Sequence, residues 1–472
     1  MKTSLAPLTA RLALSALLST ISLQFPTASA QSVNATLLTT FTNPTPLLGD
    51  KFGSSIAGVG SDKILIGAVS DDTAGVDAGA AYLFSTNGIL LATFTNLTDE
   101  ADSFGSSVAA LGSDKVLIGA PDFAAGFSVS AGVAYLFSTN GIKLVTFTNP
   151  APNIADYFGA AIIAVGTDKV LISAPGEAGV GAAYLFTTNG TLLKTNANPT
   201  PQSGDSFGNS VAALGSDKVL IGASSDNTGA ANAGSVYLFS TNGTLLRTFT
   251  NPTPVLDDNF GRAVAAIGSD RVLIACPNDD VGASDAGAVY LYNTNGTLLT
   301  IFTNPAPLVV YGFANSVAAV GSDKVLIGAL FDETGAVGAG AAYLFTTNGT
   351  LLTTITNPTP AFDDEFGNAV AAVGSDSVII GAFFDDAGKA DSGAAYLFNL
   401  ATGSSSNPPP VLTIVRAASG QATISWSPAT PGVILQEALS LPVTNWVNSP
   451  SGATNPIAVP ATLPQKIYRL FK

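Results

Sequence analysis

The chain has 472 residues, of which 47% are hydrophobic and only 11% are charged, and its formal net charge is −15. It contains no histidine and one cysteine, which excludes imidazole catalysis, His-ligated zinc or iron sites and any intrachain disulfide. The strong negative charge argues against binding to nucleic acid or to an anionic membrane surface.

Residues 1–30 have the pattern of a secretory signal peptide. Lys2 and Arg11 are the only charged residues of this segment, an apolar stretch follows, and Ala28-Ser29-Ala30 offers small residues for cleavage. The stretch is too short and too often interrupted to span a bilayer convincingly. We therefore expect a mature protein with no transmembrane span, secreted or held at the cell surface.

Residues 31–402 consist almost entirely of seven near-copies of one unit. Self-similarity at a period near 50 residues is typical of propellers and solenoids. The copies are marked by a tyrosine that opens a Tyr-Leu-Phe or closely similar triplet, at Tyr82, Tyr135, Tyr184, Tyr237, Tyr290, Tyr343 and Tyr396. Because the triplet lies inside an apolar run, we interpret it as core packing between units.

Each unit is predicted to form four antiparallel strands. In the fourth copy these are residues 207–214, 218–223, 234–239 and 244–250. Asn-Gly between the last two is a strong hairpin signal, and Asn251-Pro252 ends the fourth strand. Four such strands make one blade, so the sequence predicts an all-β, seven-bladed β-propeller.

The ends of the repeat array predict how the ring closes. The seventh copy departs from the pattern after its third strand, whereas residues 35–44, ATLLTTFTNP, match a fourth strand. Pairing this N-terminal segment into the last blade would remove two exposed strand edges. We therefore predict that residues 35–44 complete blade 7.

The repeat resembles a known family. Phe104-Gly105 at the start of a copy, with Gly119-Ala120-Pro121 closing its second strand, is similar to the FG-GAP repeat of integrin α-chain propellers and their bacterial relatives. The resemblance covers residues 52–398 and implies an extracellular adhesion or binding role. It does not extend to the calcium loop that many members carry between strands one and two, because only Gly-Ser-Asp-Lys or a variant stands there, and calcium prefers six to eight oxygens.

The acidic residues are concentrated on one predicted face. We call the loop face the side that carries the connections between strands two and three and between strand four and the next blade, and the turn face the opposite side. By this assignment, 25 acidic residues belong to the loop face and seven to the turn face. Function usually collects on such long variable loops.

Three strand two–three loops share the spacing Asp-Asp-x4-Asp, and a weakened copy begins at Asp226. Three carboxylates within seven residues could hold calcium with help from backbone carbonyls. The alternative, which we favour because the spacing matches no established calcium loop, is a set of turn residues that hydrogen-bond their own backbone. The candidate ligand-binding residues, and except for Asp226 the candidate calcium ligands, are Asp71, Asp72, Asp77, Asp226, Asp279, Asp280, Asp285, Asp385, Asp386 and Asp391.

Two further predictions concern single features outside this face. Cys276 stands where other copies have Ala, so we interpret it as a small core residue. Residues 403–410, GSSSNPPP, predict a linker, and residues 411–472 predict a small β-sandwich whose core contains Trp426 and Trp446.

These features favour a secreted or cell-surface binding scaffold whose acidic loop face holds a protein or glycan partner. One alternative is a self-assembling structural protein of a surface or matrix. The other is a propeller-type carbohydrate-active enzyme with a pair of carboxylates. We do not expect an enzyme, because the acids lie in polar loops without surroundings that would separate their pKa values.

Overall fold

The computed structural model describes residues 10–11, 33–96, 101–124, 130–306, 312–402, 411–416, 421–427, 434–438, 447–449, 454–460 and 467–471. The chain divides into two compact units, residues 33–401 and the remainder. Apart from residues 10–11, the predicted signal peptide lies outside the described residues, as does the predicted linker. Two strands precede the first repeat, β1 (Ala10–Arg11) and β2 (Val33–Thr42).

The repeats form seven four-stranded antiparallel sheets, the blades. Blades 1 to 3 contain β3 (Phe52–Val59), β4 (Lys63–Ala68), β5 (Ala80–Ser85) and β6 (Leu90–Thr95); β7 (Ser107–Leu111), β8 (Lys115–Ala120), β9 (Val133–Ser138) and β10 (Lys143–Thr148); β11 (Ile162–Val165), β12 (Lys169–Ala174), β13 (Ala182–Thr187) and β14 (Leu192–Ala197). Blades 4 to 6 contain β15 (Phe207–Leu214), β16 (Lys218–Ala223), β17 (Ser235–Ser240) and β18 (Leu245–Thr250); β19 (Val264–Ile267), β20 (Arg271–Cys276), β21 (Ala288–Asn293) and β22 (Leu298–Thr303); β23 (Phe313–Val320), β24 (Lys324–Ala329), β25 (Ala341–Thr346) and β26 (Leu351–Thr356). Blade 7 begins with β27 (Val370–Val373), β28 (Ser377–Ala382) and β29 (Ala394–Thr402). The first strand of each blade packs against those of its neighbours at the centre, and the fourth is outermost.

The N-terminal strand closes the ring. The strand order in blade 7 is β2-β29-β28-β27, so β2 takes the place of the missing fourth strand. The predicted seven-bladed propeller and its closure by the N-terminal segment are both confirmed. In the part of the chain that the structure describes, the only helix is a 3-10 turn at Glu177–Gly179, and no helix there is long and apolar enough to cross a bilayer.

The core is a series of apolar layers between adjacent blades. Each of the seven clusters of buried side chains combines residues from two neighbouring blades. The cluster between blades 7 and 1 includes Phe41 from β2 together with Tyr82 and Phe84. Tyr82, Leu83 and Phe84 are each at most 5% exposed, which confirms the core interpretation of this triplet.

The Phe-Gly and Gly-Ala elements of the repeat meet where two blades touch through their backbones. A Cβ on Gly67 of blade 1 would lie 2.1 Å from the carbonyl oxygen of Gly105 of blade 2, and a Cβ on Gly105, whose φ is +89°, would lie 2.3 Å from the carbonyl oxygen of Ala80. Glycine accommodates such an approach together with a positive φ without the steric cost of a side chain. At the junction of blades 5 and 6 both positions hold alanine instead, Ala275 and Ala314, and both are fully buried in one cluster.

The second unit contains two small sheets. One has the order β30 (Val411–Arg416), β31 (Gln421–Ser427) and β34 (Ile457–Pro460), and the other joins β1 and β35 (Ile467–Phe471) to β32 (Ile434–Ala438) and β33 (Val447–Asn448). The strand at Ile457–Pro460 was not predicted. Trp426 is 4% exposed, as a core residue should be, whereas Trp446 lies outside the described residues. The β-sandwich arrangement stays a prediction.

Candidate functional site: the loop face

Each strand two–three loop is held against the segment that enters the next blade. We call this second segment the entry loop. At the junction of blades 7 and 1, the amide of Phe52 donates to the carbonyl of Ser392 (3.0 Å), and the amide of Gly49 donates to the carbonyl of Ala390 (3.1 Å). The equivalent phenylalanine amide donates to the preceding loop at five further junctions, so the two kinds of loop alternate in the described part of the loop face.

A buried polar cluster lies beneath the loops of blade 1. The Tyr82 hydroxyl donates to Asp71 Oδ2 (2.7 Å), and the Asn43 amide donates to Asp71 Oδ2 (2.8 Å) and to Asp50 Oδ2 (2.7 Å). The backbone amide of Thr73 donates to Asp71 Oδ1 (2.8 Å). Both carboxylates are at most 1% exposed. Asp71 thus accepts hydrogen bonds from the protein at both oxygens and fixes the loop to the blade.

The same arrangement recurs around the ring. In three other blades, the tyrosine hydroxyl donates to the loop aspartate at 2.6–2.7 Å and an asparagine amide donates to the entry-loop aspartate at 2.7–2.8 Å. We call each such set a carboxylate pair; its members are Asp205 and Asp226 in blade 4, Asp258 and Asp279 in blade 5, and Asp364 and Asp385 in blade 7. In blade 3, Glu177 replaces the loop aspartate and accepts from Asn149 at 3.0 Å.

Burial shifts the pKa values of these pairs. It raises the pKa of Asp50, Asp258 and Asp364 to about 6, against the hydrogen bonds from backbone amides that lower it, and the neighbouring loop aspartates raise it further. Burial likewise raises the pKa of the Asp205 and Asp385 carboxyls. The shifts share one cause: two carboxyls are buried side by side, and the asparagine, tyrosine and backbone groups that donate to them are neutral.

The second and third residues of the predicted triplets form turns at the surface. The third residue donates its backbone amide to the carboxylate of the second at 2.7–3.0 Å, and its φ is between +51° and +53°. The pairs are Asp72 with Asp77, Asp280 with Asp285, and Asp386 with Asp391. This is the self-bonded arrangement that the sequence favoured.

The three carboxylates of each triplet therefore do not converge. The first is buried beneath the loop, while the other two lie at its surface. Among the residues that the structure describes, no group of three or more acidic or cysteine side chains is arranged to hold a metal ion.

The exposed charge of the loop face is also smaller than the sequence suggests. Of the 25 acidic residues assigned to it, ten are buried, and Asp99 and Glu100 lie outside the described residues. The buried ten are Asp50, Asp71, Asp102, Asp156, Asp205, Asp226, Asp258, Asp279, Asp364 and Asp385. Ligand contact by Asp71, Asp226, Asp279 or Asp385 would require the loop to open.

The structure adds apolar side chains that sequence reasoning missed. Leu48 (74% exposed), Ile154 (71%), Leu256 (63%) and Phe362 (72%) project from the entry loops of blades 1, 3, 5 and 7. Each stands four residues before the phenylalanine that opens the blade. This fixed offset, read across the copies, was the signal that could have revealed them.

Blade 7 also carries two adjacent aromatic residues at the start of its strand two–three loop. The rings of Phe383 and Phe384 lie 4.1 Å apart, and Lys51 Nζ lies 5.7 Å from the centre of the Phe384 ring. In blade 4, the positions that correspond to Phe383 and Phe384 hold Ser224 and Ser225. In the entry loop of blade 7, which also carries Phe362, burial raises the pKa of Glu365 to about 7, with a further contribution from Asp363.

Cys276 is fully buried at the end of β20. Its Sγ donates to the carbonyl of Asp258 (3.2 Å), and burial raises the pKa of the thiol well above its ordinary value. This agrees with the prediction of a small core residue.

Comparison with known proteins places the repeat in a family. The model of the FG-GAP repeat matches residues 46–84, 201–239 and 351–398, and no curated protein matches the sequence. Among solved structures, "Structure of U3-55K" is similar to this chain at 11% identity, covering 77% of this chain and 98% of that one with a TM-score of 0.50. "Crystal structure of WD40 beta propeller domain of Doa1" is similar at 13% identity, covering 78% and 97% with a TM-score of 0.49. The likeness to U3-55K concerns the fold alone; the repeat matches and the seven closed blades together identify the chain as a β-propeller that carries FG-GAP repeats.

Proposed function

We propose that this propeller is a binding scaffold, secreted or held at the cell surface, whose loop face holds an extracellular protein or glycan partner. The observation that carries the proposal is the variation of the exposed loop-face tips from blade to blade, against a more uniform turn face whose exposed apolar residues include Ile89 and Ile142. The loop face presents large apolar tips, Phe362 among them, between exposed acidic residues, and these tips differ from blade to blade. Exposed apolar side chains rimmed by polar ones mark interaction sites.

The turn face differs little between blades, which is typical of a structural role. In six blades a Lys or Arg lies 2.9–3.8 Å from the adjacent Asp of the strand one–two turn. In all seven, that Asp accepts at its carbonyl a backbone amide from the end of strand three, at 2.7–2.9 Å, as Asp62 does from Thr86. The propeller unit also begins and ends on this side, at Val33 and Ala401.

The proposal is tested with a glycan array and with a displayed library of extracellular peptides, both probed with the full chain. Ligands selected in this way are then measured against Phe362→Ala and Leu48→Ala on the loop face and against Asp62→Ala on the turn face. We expect the loop-face changes to weaken binding at least about tenfold and the turn-face change to leave it unaltered. Binding that responds to the turn-face change alone would refute the proposal.

Calcium has a limited place in this proposal. The exposed carboxylates that remain in the triplets, such as Asp77 and Asp391, would have to recruit backbone carbonyls and water to reach the six to eight oxygens that calcium prefers. We therefore propose partner binding that does not depend on calcium, tested by repeating the affinity measurement with a chelator present.

One observation favours a second candidate function. Burial and the neighbouring Asp363 raise the pKa of Glu365 to about 7, which is the direction that the general acid of a carbohydrate-active enzyme requires. The matching test is turnover of the glycans that bind the array. Loss of turnover in Glu365→Gln with retained binding would support catalysis, whereas binding without turnover in the unaltered protein leaves only the scaffold.

A further inference from the structure

The outermost strands of the propeller fall into two groups by charge. Those of blades 2, 3 and 4 each contain one basic residue, Lys143, Lys194 and Arg247. Those of blades 5, 6, 7 and 1, which follow one another around the ring, contain no charged residue at all. We call these four strands, β22, β26, β2 and β6, the uncharged arc.

The uncharged arc is apolar as well as uncharged. Leu299 is 47% exposed, Leu38 54% and Leu91 46%, and each belongs to a pair of adjacent leucines. The strands combine these leucines with threonine and, in β22 and β26, with isoleucine, and contain no proline. Segments of this composition pair readily with other strands.

Each strand of the arc is also an open edge, because it is the last in its sheet. Edge strands present unpaired backbone N–H and C=O groups, and proteins commonly protect them with lysine or another charge. Blades 2 to 4 have this protection. Arg247 donates to the carbonyl of Asn295 in the next blade (2.5 Å), which holds the charge at the rim.

The position of Arg247 holds a threonine in three blades of the arc, Thr300 in blade 5, Thr353 in blade 6 and Thr39 in blade 7. Thr300 donates its hydroxyl to the carbonyl of Thr347 (2.8 Å), so the contact with the next blade is kept while the charge is absent. The loss of the basic residue therefore does not follow from packing between blades.

We propose that the uncharged arc is a self-association surface, on which a second copy of this chain pairs edge to edge. Edge-to-edge pairing brings the same strands of two copies together, so the basic residues of blades 2 to 4 would face like charges, whereas the uncharged arc presents none. The arc complements itself: antiparallel pairing joins the open backbone groups of both copies and covers the leucine pairs.

This pairing has a consequence for binding. Antiparallel continuation of a sheet requires a twofold axis perpendicular to the blade, and that axis reverses the direction of the ring axis. The two loop faces then lie on opposite sides of the pair. A pair of copies would bridge two partners or two sites, with the gain in apparent affinity that bivalency gives.

The test is analytical ultracentrifugation of the full chain over a wide range of concentrations. We expect a monomer–dimer equilibrium. Thr300→Arg combined with Thr353→Arg copies the arrangement of blade 4 onto the arc, and we expect it to raise the dimer dissociation constant at least about tenfold. Conversely, Arg247→Thr should extend the arc and strengthen association.

Phe362→Ala on the loop face is the matched control and should leave the equilibrium unchanged. If the double arginine variant does not fold by circular dichroism, Ala92→Lys on β6 provides the same charge in blade 1. A chain that stays monomeric at all concentrations, or a dimer that the rim charges do not affect, would overturn the proposal.

Discussion

The buried carboxylate pairs predict that the propeller is more stable in mild acid than at neutral pH. In the folded chain the pKa of Asp50, Asp258 and Asp364 is raised from 3.8 to about 6. Between these two values the folded state holds a proton that the unfolded state has released. The contribution of these groups to stability is therefore complete below pH 4, declines as the pH rises from 4 to 6, and is lost above the folded-state pKa of about 6.

The magnitude follows from the size of the shift. A rise of about two units corresponds to about 3 kcal/mol per group, and we take about half of this value because the loops leave some solvent screening. Three groups then give about 4 kcal/mol. For the roughly 370 residues of the propeller this difference is a change of about 5 °C in Tm.

Asp258→Asn isolates one of these groups. The oxygen of an asparagine at this position can still accept from the Asn251 amide and from the backbone amide of Val255, which lie 2.7 and 2.6 Å from Asp258 Oδ2. We expect the variant to be more stable than the unaltered chain at pH 8 by about 1–2 kcal/mol and to have the same stability at pH 4.

The assay is thermal unfolding of the full chain by circular dichroism between pH 4 and 8. Asp257→Asn, at the adjacent exposed residue, removes the same charge without burial and should not alter the pH profile. A propeller that loses stability steadily as the pH falls from 8 to 5, or an Asp258→Asn variant that is destabilised at pH 8, would show that these carboxylates are ionised and stabilising in the folded state.

Four other outcomes are expected. In urea unfolding, Gly105→Ala should lower the free energy of unfolding by about 1–3 kcal/mol more than Gly141→Ala does. Both glycines have positive φ, but only Gly105 has a backbone oxygen within 2.3 Å of the added Cβ. Equal losses of stability would contradict the account of the repeat glycines. Tyr290→Phe should lower the free energy of unfolding by about 1–2 kcal/mol, because Asp279 loses a hydrogen-bond donor at 2.7 Å. Tyr135→Phe should lower it less, because Tyr135 donates at 3.4 Å. A larger loss of stability in Tyr135→Phe would count against a structural role for the carboxylate pairs. Deletion of residues 33–42 should abolish soluble expression, as blade 7 loses its outer strand, and a soluble, folded product would refute closure by this strand. Added calcium should leave Tm unchanged, and a rise that saturates with calcium concentration would reveal a metal site in the exposed turns.

Much of the fold was predictable because the unit occurs seven times in phase. A single copy of FGNSVAALGSDKVLIGA contains apolar runs that fit several strand arrangements, but each alternative must hold in every copy. Closure was predictable for a related reason: a missing fourth strand at one end and a surplus one at the other admit few solutions. The strands of blade 4 and the closing strand β2 begin within one or two residues of their predicted starts. The strand at Ile457–Pro460, in the unrepeated part of the chain, was not predicted.

The character of the loop face was decided by the tertiary structure. The sequence assigns its acids to polar loops and therefore predicts a charged surface. Only the fold shows that Asn43 and Tyr82, which are 28 and 11 residues from Asp71 along the chain, donate to the same carboxylate. An aspartate in a loop is exposed or buried according to whether donors from other strands meet it, and that depends on how the outer strand of one blade and the third strand of the next are brought together.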